Sequence, residues 1–185
     1  MAVKTFTSEI LTSSDTNTYL ANSGLVYVTS ATVGTGVASV TVTNAFSADY
    51  DAYKIIVTGL KNTANDISFS MQLNNATVSG YFGAFIYVNV TTNTIASASN
   101  NNTAAWSFVG AAGTGSLQGG AVVEIINPFL TGATSVIAGP IPYQNITGTF
   151  TGLQTTNASH TGFTLTAGAG SFTGGAITVY GYRKA

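Results

Sequence analysis

Ile67-Ser68-Phe69-Ser70-Met71-Gln72-Leu73 puts four apolar side chains on one side of an extended chain and three small or polar ones on the other. Successive side chains of a strand point to opposite faces, whereas the apolar positions of a helix recur every three or four residues. The spacing therefore predicts a half-buried β-strand. The same period of two continues outward from this stretch. Ala38, Val40 and Val42 alternate with Ser39, Thr41 and Thr43, and Tyr53, Ile55 and Val57 oppose Lys54, Ile56 and Thr58. Tyr81 to Val90 is apolar on both faces, which predicts a central strand or one covered by a neighbouring subunit. Further strands are predicted at 121–126, 136–138, 148–153, 162–167 and 176–182.

Turn chemistry separates these runs. GLKNTAND fills Gly59 to Asp66, a polar and Asn-rich stretch without periodicity fills Thr91 to Thr103, and Gly110 to Gly120 is glycine-rich. Eight or nine short strands punctuated in this way predict an antiparallel sandwich of jelly-roll type, not a βαβ fold. A fibre shaft or β-solenoid needs a fixed short repeat, and the spacing here is irregular. Upstream, Thr12-Ser13-Ser14-Asp15 followed by Thr16 to Leu20 reads as a capped helical turn, which Asn22-Ser23-Gly24 would end. The expectation is all-β: an antiparallel jelly-roll-like β-sandwich over 25–185, preceded by a short N-terminal arm over 1–24 that carries one small helix.

Composition narrows the function. Only 6% of the 185 residues are Asp, Glu, Lys or Arg, against about 25% in ordinary soluble proteins. Nine Tyr, ten Phe and many β-branched residues argue for an ordered chain nonetheless. So few charges on a strand-rich chain predict a surface hidden largely against copies of itself or other subunits. With no cysteine there is neither a disulfide nor a thiolate metal site. A formal net charge of −1 supplies no field to gather phosphate backbones, so no nucleic-acid partner is expected. No run of 18 apolar residues is present, so membrane insertion by a helix is not expected. The opening MAVKTFTSEILTSSD has no apolar signal-peptide core, which predicts synthesis without Sec export.

Candidate chemical groups are sparse. His160, the single histidine, lies in the polar run Asn157 to Gly162, where a surface hydrogen-bonding role is expected; no G-x-S-x-G elbow supports a hydrolase. Asp49 and Asp51 flank Tyr50 and would share a face if extended, but no third acid follows at a spacing suited to Ca²⁺, and they read as caps of a loop entering a strand. Gly110-Ala111-Ala112-Gly113-Thr114-Gly115 lacks the lysine and following helix of a phosphate loop. The sequence therefore predicts no catalytic residue, no cofactor and no metal. Trp106, which follows Asn100, Asn101 and Asn102, leaves two readings open. One is contact with a host-surface glycan through an aromatic face and amides; the other is burial against the core or a partner. Asn-x-Ser/Thr triplets at Asn75, Asn89, Asn101, Asn145 and Asn157 read as composition, not as glycan acceptors.

Several stretches resemble one family. Lys4-Thr5-Phe6 with Leu11 through Asn22, LTSSDTNTYLAN, is similar to the opening of tailed-bacteriophage virion structural proteins. FSADYDAYKI at Phe46 to Ile55, the Ile126-Asn127-Pro128 turn, and GGAITVYGYR at Gly174 to Arg183 resemble strands of phage tail-fibre and head-decoration β-sandwiches. Thr16 stands where that opening usually has an aliphatic residue. The resemblance implies a non-enzymatic virion protein, self-associating and often trimeric, assembled in the host cytoplasm with other tail or capsid subunits. It implies docking through the arm, by Phe6, Leu11, Tyr19 and Leu20. Two positions on the particle fit: a tail fibre or tail tip exposed for host contact, or a decoration protein cementing the head.

Overall fold

The computed structural model describes residues 24–64, 67–74, 79–115, 118–139 and 145–184. The predicted small helix, most of the arm, and Phe6, Leu11, Tyr19 and Leu20 lie outside the described residues. Within them the chain is all-β, with fourteen strands and no helix.

A wide sheet runs in the order β7 (Thr94–Thr103), β6 (Tyr81–Asn89), β11 (Ile146–Ala158), β10 (Gly132–Ala138), β9 (Gly119–Ile126), β4 (Ala52–Asn62), β14 (Ala176–Tyr182) and β1 (Leu25–Thr32). A narrower layer follows the order β3 (Ser39–Val42), β12 (Phe163–Ala167), β5 (Ile67–Leu73) and β8 (Trp106–Ala112). The short strands β2 (Thr35–Val37) and β13 (Phe172–Thr173) extend the far end of β4. All these pairings are antiparallel. A single pairing of Ala111 with Gly120 joins β8 to β9 and makes the hydrogen-bonded network continuous around one edge of the sandwich. The corner needs glycine there, because a Cβ on Gly119 would lie 2.0 Å from the Ala111 carbonyl oxygen.

One core fills the space between the layers. The wide sheet contributes Tyr53, Ile55, Val57, Phe85, Val123, Ile125, Val136, Phe150, Ile177 and Val179; the narrow one contributes Val42, Phe69, Met71, Leu73, Trp106, Val109, Phe163 and Leu165. Aromatic contacts cross the gap: Phe85 stacks on Phe108 at 5.5 Å and Phe46 bridges Tyr53 and Phe163 at 4.9 and 5.8 Å. Buried tyrosines tie the ends. The Tyr53 hydroxyl donates to Ser47 O at 2.9 Å while Ser47 N–H donates back to it at 2.7 Å. Leu73 N–H likewise donates to the Tyr81 hydroxyl at 2.8 Å.

The predicted strand at 67–73 keeps its bounds, with Phe69, Met71 and Leu73 inward, and so does 176–182. Among the described residues fourteen strands form where eight or nine were expected, the strands predicted at 136–138 and 148–153 extend to Gly132–Ala138 and Ile146–Ala158, and two segments expected as loops are strands in large part. The polar stretch 91–103 is a short turn followed by the ten-residue strand β7, and the glycine-rich stretch begins inside β8. β7 and the end of β8 carry small residues where their neighbours are large. Ala98 and Ala96 pair with Phe85 and Tyr87, and a Cβ on Gly110 would lie 2.1 Å from the Phe69 ring.

Candidate interaction surface

The inner face of the wide sheet is core, so its chemistry with the outside rests on the other face. Strand registers lay out one continuous row across all eight strands: Ser99, Ala84, Thr151, Ile137, Glu124, Lys54, Tyr180 and Tyr27. A parallel row carries Phe82, Leu153, Ser135, Ile126 and Ala52. Apolar side chains crowd this face. Ile95 is 79% exposed, Ile86 61% and Ile137 49%, and Leu25, Tyr27, Phe82, Ile126 and Leu153 are exposed there too. Among the described residues, two exposed large apolar side chains lie outside the strands: Leu130 in a loop and Val90, 62% exposed, in the turn after β6. Exposed apolar residues scattered over a whole surface are ordinary; their gathering on one sheet face, among Ser and Thr, points to a contact surface.

Charge on this face is segregated. Between Asp66 and Arg183 the one Asp, Glu, Lys or Arg is Glu124. Its carboxylate lies 3.6 Å from Lys54 Nζ on the adjacent strand and accepts a 2.6 Å hydrogen bond from the Tyr182 hydroxyl. Holding that proton against Glu124 pushes the Tyr182 phenol up to about 12, with burial and the carboxylate's charge adding to the effect. Tyr27 packs edge-on against Tyr180 at 6.3 Å. The β4–β14–β1 half is thus tyrosine-rich and ionic, while β7, β6, β11 and β10 contain no ionised residue.

The residues singled out in the sequence fall elsewhere. Trp106 is fully buried on β8, edge-on to Tyr81 at 5.0 Å, with its indole N–H donating to Phe82 O at 3.2 Å. It offers no exposed ring face for a sugar. The three asparagines are not brought together on it. Asn100 is buried and clamps Ser107 through both ends of its amide; Asn102 takes φ 56° and accepts from Gly80 N–H at 2.9 Å; Asn101 is exposed.

His160, expected on the surface, is fully buried. Its Nδ1 lies 2.6 Å from Asn74 O and so donates to it; Nε2 has no hydrogen-bond partner. Burial outweighs that hydrogen bond and holds the imidazole below its ordinary pKa, neutral. Asn74 in turn accepts from Thr161 and Gly162 N–H at 2.9 and 2.8 Å and donates to the Thr161 hydroxyl at 2.9 Å, so the pair is a structural clamp. Asp49 accepts from the Ser47 hydroxyl at 2.9 Å, whereas Asp51 pairs with Lys184 at 2.8 Å; the two carboxylates serve different partners. Among the described residues no three of His, Asp or Glu gather in one place. A groove of about 360 Å³ beside β4 and β9 has Thr58 and Gln118 as its polar side chains and no ionisable group.

No protein-family model and no curated protein matches the chain. Among solved structures it is similar to a fructofuranosidase from Schwanniomyces occidentalis complexed with fructosylnystose. The identity is 8% and the TM-score 0.31, over 88% of this chain and 35% of that one. A likeness at that level assigns no activity. Fold and surface define the chain as an all-β sandwich with an apolar outer sheet face.

Proposed function

We propose that this chain is a non-enzymatic structural subunit of a bacteriophage virion: a self-associating β-sandwich of a tail fibre or tail tip, exposed for host contact. The observation that carries the reading is the gathering of exposed Ile, Leu and Phe side chains on the outer face of the wide sheet, on a chain with 6% charged residues. Such a face suits permanent burial in an assembly, and the near absence of charge keeps the desolvation cost of assembly low. The phage assignment rests on the resemblance of the opening, the 46–55 strand and the last strand to virion proteins. Sandwich strands ending in Asn- and Gly-rich turns leave loops for contact beyond the particle.

Immunogold electron microscopy of purified particles tests the proposal. Labelling on the tail is the expected result. Labelling over the head would make the chain a decoration protein instead, and particles that lack the chain altogether would overturn the virion reading.

A further inference from the structure

The uncharged half of the outer face points to a particular occupant. We infer that a second copy of this chain seats on the surface formed by β7, β6, β11 and β10, burying Phe82, Ile86, Ile95, Ile137 and Leu153 around Ala84 and Thr151. The inference rests on the self-association in the proposed function and assigns it a surface.

Three features fit a copy of the chain. The half-face has no ionised group, so a copy approaching it meets no like charge, and a phosphate backbone or anionic membrane finds no cation to hold it. The neighbouring half keeps the Lys54–Glu124 pair and the tyrosines at the rim, and apolar centres with polar rims are the usual anatomy of protein contacts. The dimensions also suffice. Four strands about 4.8 Å apart, each with a usable length of about 25–30 Å, present roughly 500–600 Å² a copy; a pair then buries on the order of 1,000–1,200 Å², the lower bound for a specific interface. Thr147, Thr149 and Thr151 of β11 supply hydroxyls that need no charged partner. Sheets meeting face to face pack about 10 Å apart, which is the thickness these Ile, Leu and Phe side chains fill in a sandwich core.

Sedimentation velocity of the full chain across a concentration series tests the inference, beside the double variant Ile86→Lys/Ile95→Lys. Both side chains are exposed in the single chain, so the variant is expected to keep the parent's far-UV circular dichroism, with a Tm lowered only by the association it loses. The parent is expected to sediment as a multiple of the chain, and the variant to raise the dissociation constant by about 100-fold or more. Because the chain has no cysteine, Thr151→Cys gives a clean second reading: a bis-maleimide of about 10 Å span, which bridges facing sheets that a direct disulfide cannot, should link copies through this position. If the double variant unfolds, the cysteine result decides by itself. An oligomer unaffected by the two lysines, with Thr151→Cys unlinked, would overturn this surface while leaving self-association intact. A single chain at every concentration would overturn self-association and this surface together. Particle microscopy reads the virion assignment separately from either result.

Discussion

Trp106→Ala tests whether this residue is core or contact surface. The indole is fully buried, packs edge-on against Tyr81 at 5.0 Å, and donates to Phe82 O. It also lies over Gly152, where a Cβ would stand 2.7 Å from Nε1. Truncating a buried Trp costs about 3–5 kcal/mol, a figure that already includes the lost ring pair and the cavity. For a chain of this size each kcal/mol moves the midpoint by ~2–4 °C, so Tm should fall by roughly 6–20 °C. Trp106→Phe should lose less than half as much, because it keeps the ring edge and forfeits mainly the hydrogen bond, about 1–2 kcal/mol. The assays are urea unfolding followed by circular dichroism and, in the parent, by fluorescence. The chain has one tryptophan, so emission reports this site alone and should be blue-shifted and shielded from acrylamide until unfolding. A Trp106→Ala protein with unchanged Tm that has lost binding to host cells or glycan would refute the reasoning. So would a native indole that acrylamide quenches freely.

Four further outcomes follow from the clamps and close contacts. His160 is neutral and buried, with a folded pKa below the unfolded value of about 6.5, so the unfolded chain takes up the proton first. Its contribution to stability is complete above about pH 6.5 and declines as pH falls toward the folded pKa; a Tm-against-pH curve for His160→Gln should lack that decline. Asn74→Ala strands the Thr161 and Gly162 amides and should cost about 2–4 kcal/mol, read as a lower urea midpoint. Gly110→Ala forces a Cβ against the buried Phe69 ring and should cost about 2 kcal/mol, whereas Gly132→Ala, with no atom within 4 Å of its Cβ, should leave Tm within the effect of about 1 kcal/mol. Glu124→Gln should lower the Tyr182 phenol from about 12 toward its ordinary value near 10 in a spectrophotometric titration.

The sequence revealed strands wherever large side chains alternate with small ones. Tyr53, Ile55 and Val57 and the run from Ile67 to Leu73 declare their buried faces directly, because each strand carries its own half of the core. β7 and the Gly110–Ala112 end of β8 were not legible for the complementary reason. Their small residues make room for rings on other strands, so the signal for Ala96 and Ala98 lies in Tyr87 and Phe85, and the signal for Gly110 lies in Phe69. Trp106 sits among Ala104, Ala105 and Ser107, which show no alternation to orient it. His160 lies in a polar run whose polarity is consumed by Asn74, Thr161 and Gly162. The outer surface was partly readable: a strand apolar on both faces, 81–90, has one face in the core and the other bare.

A chain with so few charges still has to fix its strand registers, since flat runs of Thr, Ser, Ala and Gly slip easily when one residue resembles the next. Rings seated over glycines do that work here. A Cβ would meet Phe150 at 2.4 Å on Gly83, Phe69 at 2.1 Å on Gly110, and Tyr50 at 2.3 Å on Gly181. A one-residue slip along any of these strands would drive a side chain into a packed ring and turn the core face toward solvent. Because Phe150, Phe69 and Tyr50 act from the inner side, the register is set without any contribution from the outer face of the wide sheet. Ile86, Ile95 and Ile137 are therefore not explained by the fold of one chain. Their exposure costs solubility, and that cost disappears once another molecule covers them.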